Sequence, residues 1–121
     1  MDTSQSRSFE KPDESRQFKA HGHVDILTFD EEISVGRAEF EPGWKWSNDV
    51  KPIAGTPTCM VSHTGTCLAG RMTVHPDSGK EFTIKAGEAY HIAPGHDAWT
   101  VGNERCVMID VIGSKDYAKN H

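Results

Sequence analysis

Short apolar runs separated by polar turns dominate the chain from residue 23 onward, and this pattern predicts strands rather than helices. Such runs cover residues 24–27, 33–40, 82–84, 89–92, 99–101 and 106–112. Glycine, proline or aspartate stands between most of them, where tight turns use their backbone preferences. No long segment shows the 3.6-residue apolar period of an amphipathic helix. The pattern therefore indicates an all-β protein, either a sandwich or a small barrel.

One of these alternating runs also carries a thiol and an imidazole. If residues 57–63 form a strand, its period of two places the side chains of Cys59 and His63 on one face. Residues 64–65 (Thr-Gly) would then turn the chain into a second strand over residues 67–74. A sulfur and an imidazole facing the same way are two ligands for a soft or borderline metal ion, and a third would have to come from elsewhere in the chain.

The apolar runs indicate one domain between two polar ends. Residues 1–20 are polar and mixed in charge, and we expect an N-terminal arm there, either flexible or packed on the barrel or a neighbouring subunit. Residues 21–113 hold the predicted strands, with a polar break at residues 30–32 and an irregular connector at residues 52–57. Residues 114–121 are expected to form a C-terminal tail, frayed or folded as a single helical turn.

The composition describes a small, mildly acidic chain of 121 residues with a formal net charge of −5 and 36% hydrophobic residues. The negative balance argues against nucleic acid and anionic membrane surfaces as partners. No apolar run approaches the roughly 20 residues that span a bilayer, and the first residues lack the apolar core of a signal peptide, so we expect a cytoplasmic location. Three cysteines without a C-x-x-C pair argue against a disulfide framework. Cys67 and Cys106 are expected to be small buried hydrophobic residues.

Three tryptophans and one arginine are candidates for lining a ligand pocket. Trp44 and Trp46 alternate and so share a face, and Trp99 follows a Pro-Gly turn later in the chain. Indoles are most often core or interface residues, but at the mouth of a barrel they would suit an apolar or aromatic ligand. Arg37 lies on a predicted strand, where it either grips a ligand carboxylate or forms a surface salt bridge.

The spacing of the polar residues offers no other familiar catalytic arrangement. Neither a Ser-His-Asp pattern, nor a phosphate-binding glycine loop, nor a pair of carboxylates can be identified. Cys59 next to His63 would act as a covalent nucleophile only if its thiol pKa were depressed.

Two motifs in the second half of the chain resemble those of the cupins, a family of small β-barrels. The first ends in Gly-Arg-hydrophobic, and the second runs from a Gly-acidic pair to an Ile-Pro-x-Gly turn. The matching residues are Gly70-Arg71-Met72, Gly87-Glu88 and Ile92-Ala93-Pro94-Gly95. The chain is also similar to a group of small stand-alone cupins that carry Pro-Gly-His-Asp-Ala-Trp, present here at residues 94–99. The resemblance implies a cupin barrel (a double-stranded β-helix of jelly-roll type) with an N-terminal arm, and a homodimer, since cupins commonly pair by extending a sheet.

The resemblance also implies a metal site, but with an altered set of ligands. The usual set is two His and one Glu from the first motif and one His from the second. Here Pro57 and Cys59 fall on the two His positions, His63 on the Glu position and Ala98 on the second-motif His position. The candidate ligands that remain are Cys59, His63, His91 and His96. A thiol with two or three imidazoles and no hard oxygen ligand suits Zn²⁺ or Fe²⁺.

Together these features predict a cupin that binds a divalent metal, zinc or iron, and a small organic ligand in its barrel cavity. Two other functions stay open. One is a non-catalytic small-molecule sensor or binding module without metal, and the other is a metal-dependent oxygenase or isomerase acting on a small organic acid or aromatic molecule. Whether the protein is an enzyme is left open at this point.

Overall fold

A computed structural model of the protein describes residues 4–30, 33–112 and 117–119. Within this part of the chain the elements are β1 Glu14–Gln17, β2 Gly22–Thr28, β3 Ser34–Phe40, α1 Trp46–Asp49, α2 Lys51–Ala54, β4 His63–Ala69, β5 Arg71–Pro76, β6 Phe82–Lys85, β7 Ala89–Ile92, β8 His96–Thr100 and β9 Cys106–Ile112. The predicted polar break at residues 30–32 and the predicted tail at residues 114–121 lie partly outside the described residues.

The described strands form two antiparallel sheets, which confirms the all-β prediction. The larger sheet has six strands in the order β1-β2-β3-β9-β4-β7, and the smaller has three in the order β6-β5-β8. Alternation along the strands separates core from solvent: on β3, Gly36, Ala38 and Phe40 are buried, while the residues between them are only partly covered. Side chains from both sheets, such as Met108 and Met72, meet in one core.

Two cysteines belong to this core. Cys67 and Cys106 are buried, as predicted for small hydrophobic residues, and their unbonded sulfur atoms lie 3.9 Å apart. Burial raises the pKa of both thiols above the ordinary value, so neither is poised to react.

The strand predicted over residues 57–63 is wrong. Within that segment Cys59 forms an isolated bridge to His96, and regular pairing begins only with β4 at His63. The reason is that the backbone of Cys59 is hydrogen-bonded to the turn before β8: its N–H donates to the His96 carbonyl oxygen at 2.8 Å, and its carbonyl accepts from the Gly95 N–H at 2.7 Å.

The turn predicted at residues 64–65 is also wrong, because β4 continues through Gly65 with only a shift of its register against β9 between Thr64 and Gly65. Strand β9 passes so close there that an added Cβ would lie 2.0 Å from the carbonyl oxygen of Ile109. The chain bends instead at Gly70, where it passes from β4 in the larger sheet to β5 in the smaller one, and the φ of 73° at this glycine lies in the left-handed region that favours glycine. Gly65, within the strand, thus marks a close approach of two backbones, and Gly70, after the strand, makes the bend.

The connector predicted at residues 52–57 is irregular only in its second half. Residues Lys51–Ala54 form the short helix α2, in which Pro52 lies in the first turn and needs no N–H partner. Gly55, with φ 77°, ends the helix.

Within the described residues, no helix is long or apolar enough to cross a membrane.

The predicted N-terminal arm contains a strand, because β1 pairs with β2 along its whole length. Phe18 is only 5% exposed and stacks on Phe40 with a centroid distance of 5.5 Å. From the other end of the chain, the carbonyl oxygen of Tyr117 accepts a hydrogen bond from the Arg16 guanidinium at 2.6 Å. Both segments thus contact the barrel, while the boundaries at residues 20 and 113 stay predictions.

Candidate metal centre

Three buried side chains bring potential metal-ligand atoms together inside the barrel. The ligand atoms of Cys59, His63 and His96 all lie within 4.8 Å of one another. Each of the three residues is at most 7% exposed. Two paired backbones hold them in place, since Cys59 is bridged to the first residue of β8 and His63 is the first residue of β4, opposite Ile92.

The separation between the Cys59 sulfur and the nearer imidazole nitrogen fits a metal ion of the size of zinc. Sγ of Cys59 lies 3.6 Å from Nε2 of His63. With Zn–S near 2.3 Å and Zn–N near 2.0–2.1 Å, two ligands on a tetrahedral zinc ion lie about 3.6 Å apart. The residues present therefore fit such an ion without a change at this pair.

Both imidazole rings are held so that Nε2, not Nδ1, is the nitrogen left for a ligand. Nδ1 of His63 lies 2.7 Å from Oδ2 of Asp110, and Nδ1 of His96 lies 3.0 Å from the carbonyl oxygen of Ala93. Carboxylate and carbonyl oxygens only accept, so each Nδ1 carries the hydrogen and donates. In a neutral ring the lone pair then sits on Nε2, the tautomer that outer hydrogen bonds impose on metal-binding histidines.

Asp110 is itself held by a second partner. It is 7% exposed, and the Tyr90 hydroxyl donates a hydrogen bond to its Oδ1 at 3.1 Å. The close approach at Gly65 permits this contact, because a Cβ there would lie 2.8 Å from the Tyr90 hydroxyl oxygen. Asp110 was not among the residues predicted for the site, although a lone acid inside an otherwise apolar strand is a signal that points to it.

The charges of this group are coupled. Burial would raise the pKa of the Cys59 thiol, but hydrogen bonds and charge from His63 and His96 lower it to about 6. Burial would likewise lower the pKa of His63, but its hydrogen bonds to Asp110 and Cys59 raise it to about 9. A protein without metal therefore favours a thiolate beside an imidazolium at neutral pH, and the thiolate is the form that binds metals.

A small cavity of about 40 Å³ borders the group. Its lining is mainly aromatic and aliphatic, and it includes Trp44, Trp46, His63 and His96. Cys59 does not line the cavity. The cavity therefore meets the candidate metal group on its imidazole side.

The inward faces of the strands explain which candidate ligands meet. On β8, residues 96, 98 and 100 are buried, so His96 shares a face with Ala98, the residue on the usual second-motif His position. The imidazole thus enters the barrel two residues earlier on the same strand. On β7, Tyr90 and Ile92 are buried and His91 is exposed on the other face, where its Nδ1 lies 2.8 Å from the Thr64 hydroxyl. The structure does not bring His91 to the group.

Of the four candidate pocket residues, two line the cavity and two lie outside it. Trp44 and Trp46 line the cavity. Trp99 lies outside it, stacked on His75 with a centroid distance of 6.5 Å. Arg37 alternates with the buried residues of β3, and its guanidinium forms an ion pair with Glu39 at 2.8 Å. This is the surface salt bridge that the sequence left as one of two alternatives.

The fold is similar to that of several solved structures. An RmlC-like cupin from Shewanella frigidimarina superposes with a TM-score of 0.60 at 17% identity, covering 93% of this chain and 96% of that one. A protein from Klebsiella pneumoniae with a double-stranded beta-helix domain gives 0.56 at 19% identity, covering 94% and 88%. A cupin-like protein from Thermotoga maritima gives 0.56 at 19% identity, covering 80% and 71%. No protein-family model and no curated protein sequence matches the chain. At such low identities the likeness concerns architecture alone, and it shows that the barrel of this chain has the cupin fold.

Proposed function

We propose that this cupin barrel binds one divalent metal ion through Cys59 Sγ, His63 Nε2 and His96 Nε2, with a small organic ligand in the adjoining cavity. The observation that carries the proposal is the pair of outer hydrogen bonds, from His63 Nδ1 to Asp110 and from His96 Nδ1 to Ala93, which leave both Nε2 atoms for the ion. Two histidines that only fill a core would not need to carry the hydrogen on the same ring nitrogen, Nδ1, while their Nε2 atoms lie near one thiol.

Zinc is the ion that we propose first, and iron(II) is the alternative. One thiolate and two imidazoles are soft to borderline ligands, which suit zinc, whereas iron(II) oxygenase sites usually include a carboxylate ligand. Three protein ligands also leave one further position, as in catalytic zinc sites. When bound, such an ion supplies Lewis-acid polarisation of an oxygen ligand.

The chain's own residues would prepare this site in three ways. Asp110 keeps the proton of His63 on Nδ1, and the Tyr90 hydroxyl holds Asp110 in place. The indole and aliphatic walls of the cavity exclude bulk water and so strengthen electrostatic interactions inside it. These features support ligand binding at a metal centre, and a reaction is a further step that we leave to experiment.

The same geometry supports a second candidate, in which Cys59 acts as a nucleophile. Asp110, His63 and Cys59 form a hydrogen-bonded chain of the kind that activates a thiol, and the pKa of Cys59 is lowered. A nucleophile must reach its substrate, however, and the cavity is lined by the two imidazoles and not by Cys59. This observation ranks the metal site first.

The homodimer and the cytoplasmic location expected from the sequence remain predictions. Light scattering of the purified protein would test the first, and microscopy of the expressed chain would test the second.

Elemental analysis of protein purified without a polyhistidine tag tests the proposed metal site. We expect about one zinc per chain, the stoichiometry of a single set of three protein ligands. Substituting Cys59→Ala or His63→Ala should remove the ion, whereas His91→Ala should retain it because that ring lies on the outer face of β7. Circular dichroism shows whether each variant is folded. Folded His63→Ala protein with undiminished zinc would exclude this centre. Iron in place of zinc in the unsubstituted protein would show that iron is the bound ion.

A further inference from the structure

We propose that the cavity beside the metal group accepts a small neutral molecule carrying a carbonyl or amide oxygen, of roughly three or four heavy atoms. This inference rests on the proposed function, and it selects one class among the small organic acids, aromatic molecules and neutral compounds that a cupin cavity might otherwise hold. Three observations carry it: the size of the cavity, two buried indole N–H groups and the charge of the surrounding residues.

The size of the cavity excludes a ring. Its volume is about 40 Å³. Since one water needs roughly 10–15 Å³ by this measure, there is room for about three waters, or a molecule of three or four heavy atoms. An apolar cavity that accommodates benzene measures about 150 Å³. The aromatic ligand that the three tryptophans suggested at the level of sequence does not fit without rearrangement of the walls.

Two of the residues that line the cavity carry an unpaired donor. Trp44 and Trp46 are 2% and 1% exposed, both line the cavity, and neither indole Nε1 has a hydrogen-bond partner among the described residues. A buried donor without an acceptor is costly, and native proteins usually satisfy it with a partner, a water or a ligand. Because an indole N–H can only donate, the group that completes it must be an acceptor, such as an oxygen with lone pairs.

The charge balance of the site decides between a neutral acceptor and an anion. A divalent ion is matched by the thiolate of Cys59 and the carboxylate of Asp110, with both imidazoles neutral as ligands. The group is then neutral overall, and a carboxylate ligand would leave one uncompensated negative charge among apolar walls. Burial of an unpaired charge is far more costly than burial of a neutral acceptor. A carbonyl or amide oxygen satisfies an indole donor without this cost.

Acetamide and acetate form a matched pair for the test, because they have nearly the same shape and differ in charge. Calorimetric titration of zinc-loaded protein, with its zinc content measured on the same sample, should show acetamide bound at a single saturable site. Acetate should bind at least tenfold more weakly, and benzamide should not bind. Replacing Trp44→Phe or Trp46→Phe should weaken acetamide binding about fivefold in at least one of the two variants, the value of one neutral hydrogen bond. Trp99→Phe should leave it unchanged, because that indole lies outside the cavity.

Each outcome bears on a different part of the inference. Acetate that binds as tightly as acetamide would overturn the charge argument, and benzamide that binds as well would overturn the argument from size. These two comparisons use the unsubstituted protein, so they stand even if a tryptophan variant fails to fold. Zinc at full stoichiometry without any acetamide binding would refute the inference and leave the metal site intact. Protein without zinc would refute the metal site. If that zinc-free protein still bound acetamide, and a tryptophan variant bound it more weakly, the argument from the cavity would stand without the metal.

Discussion

Replacing Asp110→Asn should weaken zinc binding while leaving every proposed ligand in place. The carboxylate accepts a hydrogen bond from His63 Nδ1 at 2.7 Å in a site that is almost fully buried. Asparagine is nearly the same size, but its amide lacks the charge and can present an N–H group to the ring instead. The ring would then lose both the partner that keeps the proton on Nδ1 and the negative charge that makes Nε2 a stronger ligand.

The expected loss follows from the kind of contact. Outer carboxylates on metal-binding histidines contribute about 10–100-fold in affinity, or roughly 1.4–2.7 kcal/mol. The short distance and the burial place Asp110 toward the upper part of that range. Tyr90→Phe removes only the hydroxyl that supports the carboxylate, so its effect should be smaller, about the fivefold of one neutral hydrogen bond.

Competition for zinc against a fluorescent chelator of known affinity measures both losses directly. Glu81→Gln is the matched control, because it removes a carboxylate from an exposed His75 pair at 3.1 Å and should not change zinc affinity. Thermal unfolding of the metal-free variants separates a weaker site from a weaker fold. If folded Asp110→Asn protein holds zinc as tightly as the unsubstituted chain, the tautomer argument for this site is wrong.

Three further predictions concern the fold and the metal-free site. Gly65→Ala should lower the free energy of unfolding by at least about 1–3 kcal/mol through a backbone clash, whereas Gly79→Ala, with ordinary contacts only, should be nearly neutral in the same urea titration. In metal-free protein, the ultraviolet absorbance of the Cys59 thiolate, which needs no reagent to enter the buried site, should rise with pH and reach half its maximum near pH 6, because the pKa of this thiol is lowered to about 6; a midpoint near the ordinary thiol value would contradict this. Phe18→Ala should destabilise the protein by about 3–5 kcal/mol, since the ring is buried among other aromatic rings; a negligible change would show that the N-terminal segment is dispensable.

The fold was accessible from sequence because alternation is a local property. Each strand of a two-sheet barrel shows its buried face within a few neighbouring residues, and the turn residues mark where one strand ends. The same local alternation predicted that Cys59 and His63 lie together, but the structure brings them together for a different reason. They meet because Cys59 is bonded to the turn before β8 and His63 begins β4, not because one strand carries both.

The parts of the site that could not be predicted depend on pairing between distant strands. Asp110 reaches His63 across 47 residues of sequence, through the contact of β9 with β4. The exclusion of His91 depends on which face of β7 is inward, and the alternation of Ala-Tyr-His-Ile fits either choice until its neighbours are known. His96, by contrast, is two residues from a usual ligand position, and inward-facing residues repeat at every second position of a strand.

The residue that covers part of this centre lies beyond the last strand. The ring of Tyr117 packs edge-on against His63 with a centroid distance of 4.9 Å, and Arg16 in β1 holds its backbone oxygen. A chain shortened after β9 would keep every proposed ligand and every described strand of the barrel, yet His63 would lose the ring that packs against it. We therefore expect ions to enter and leave more rapidly in such a chain, so that Tyr117 affects the rate of metal exchange more than the capacity to bind.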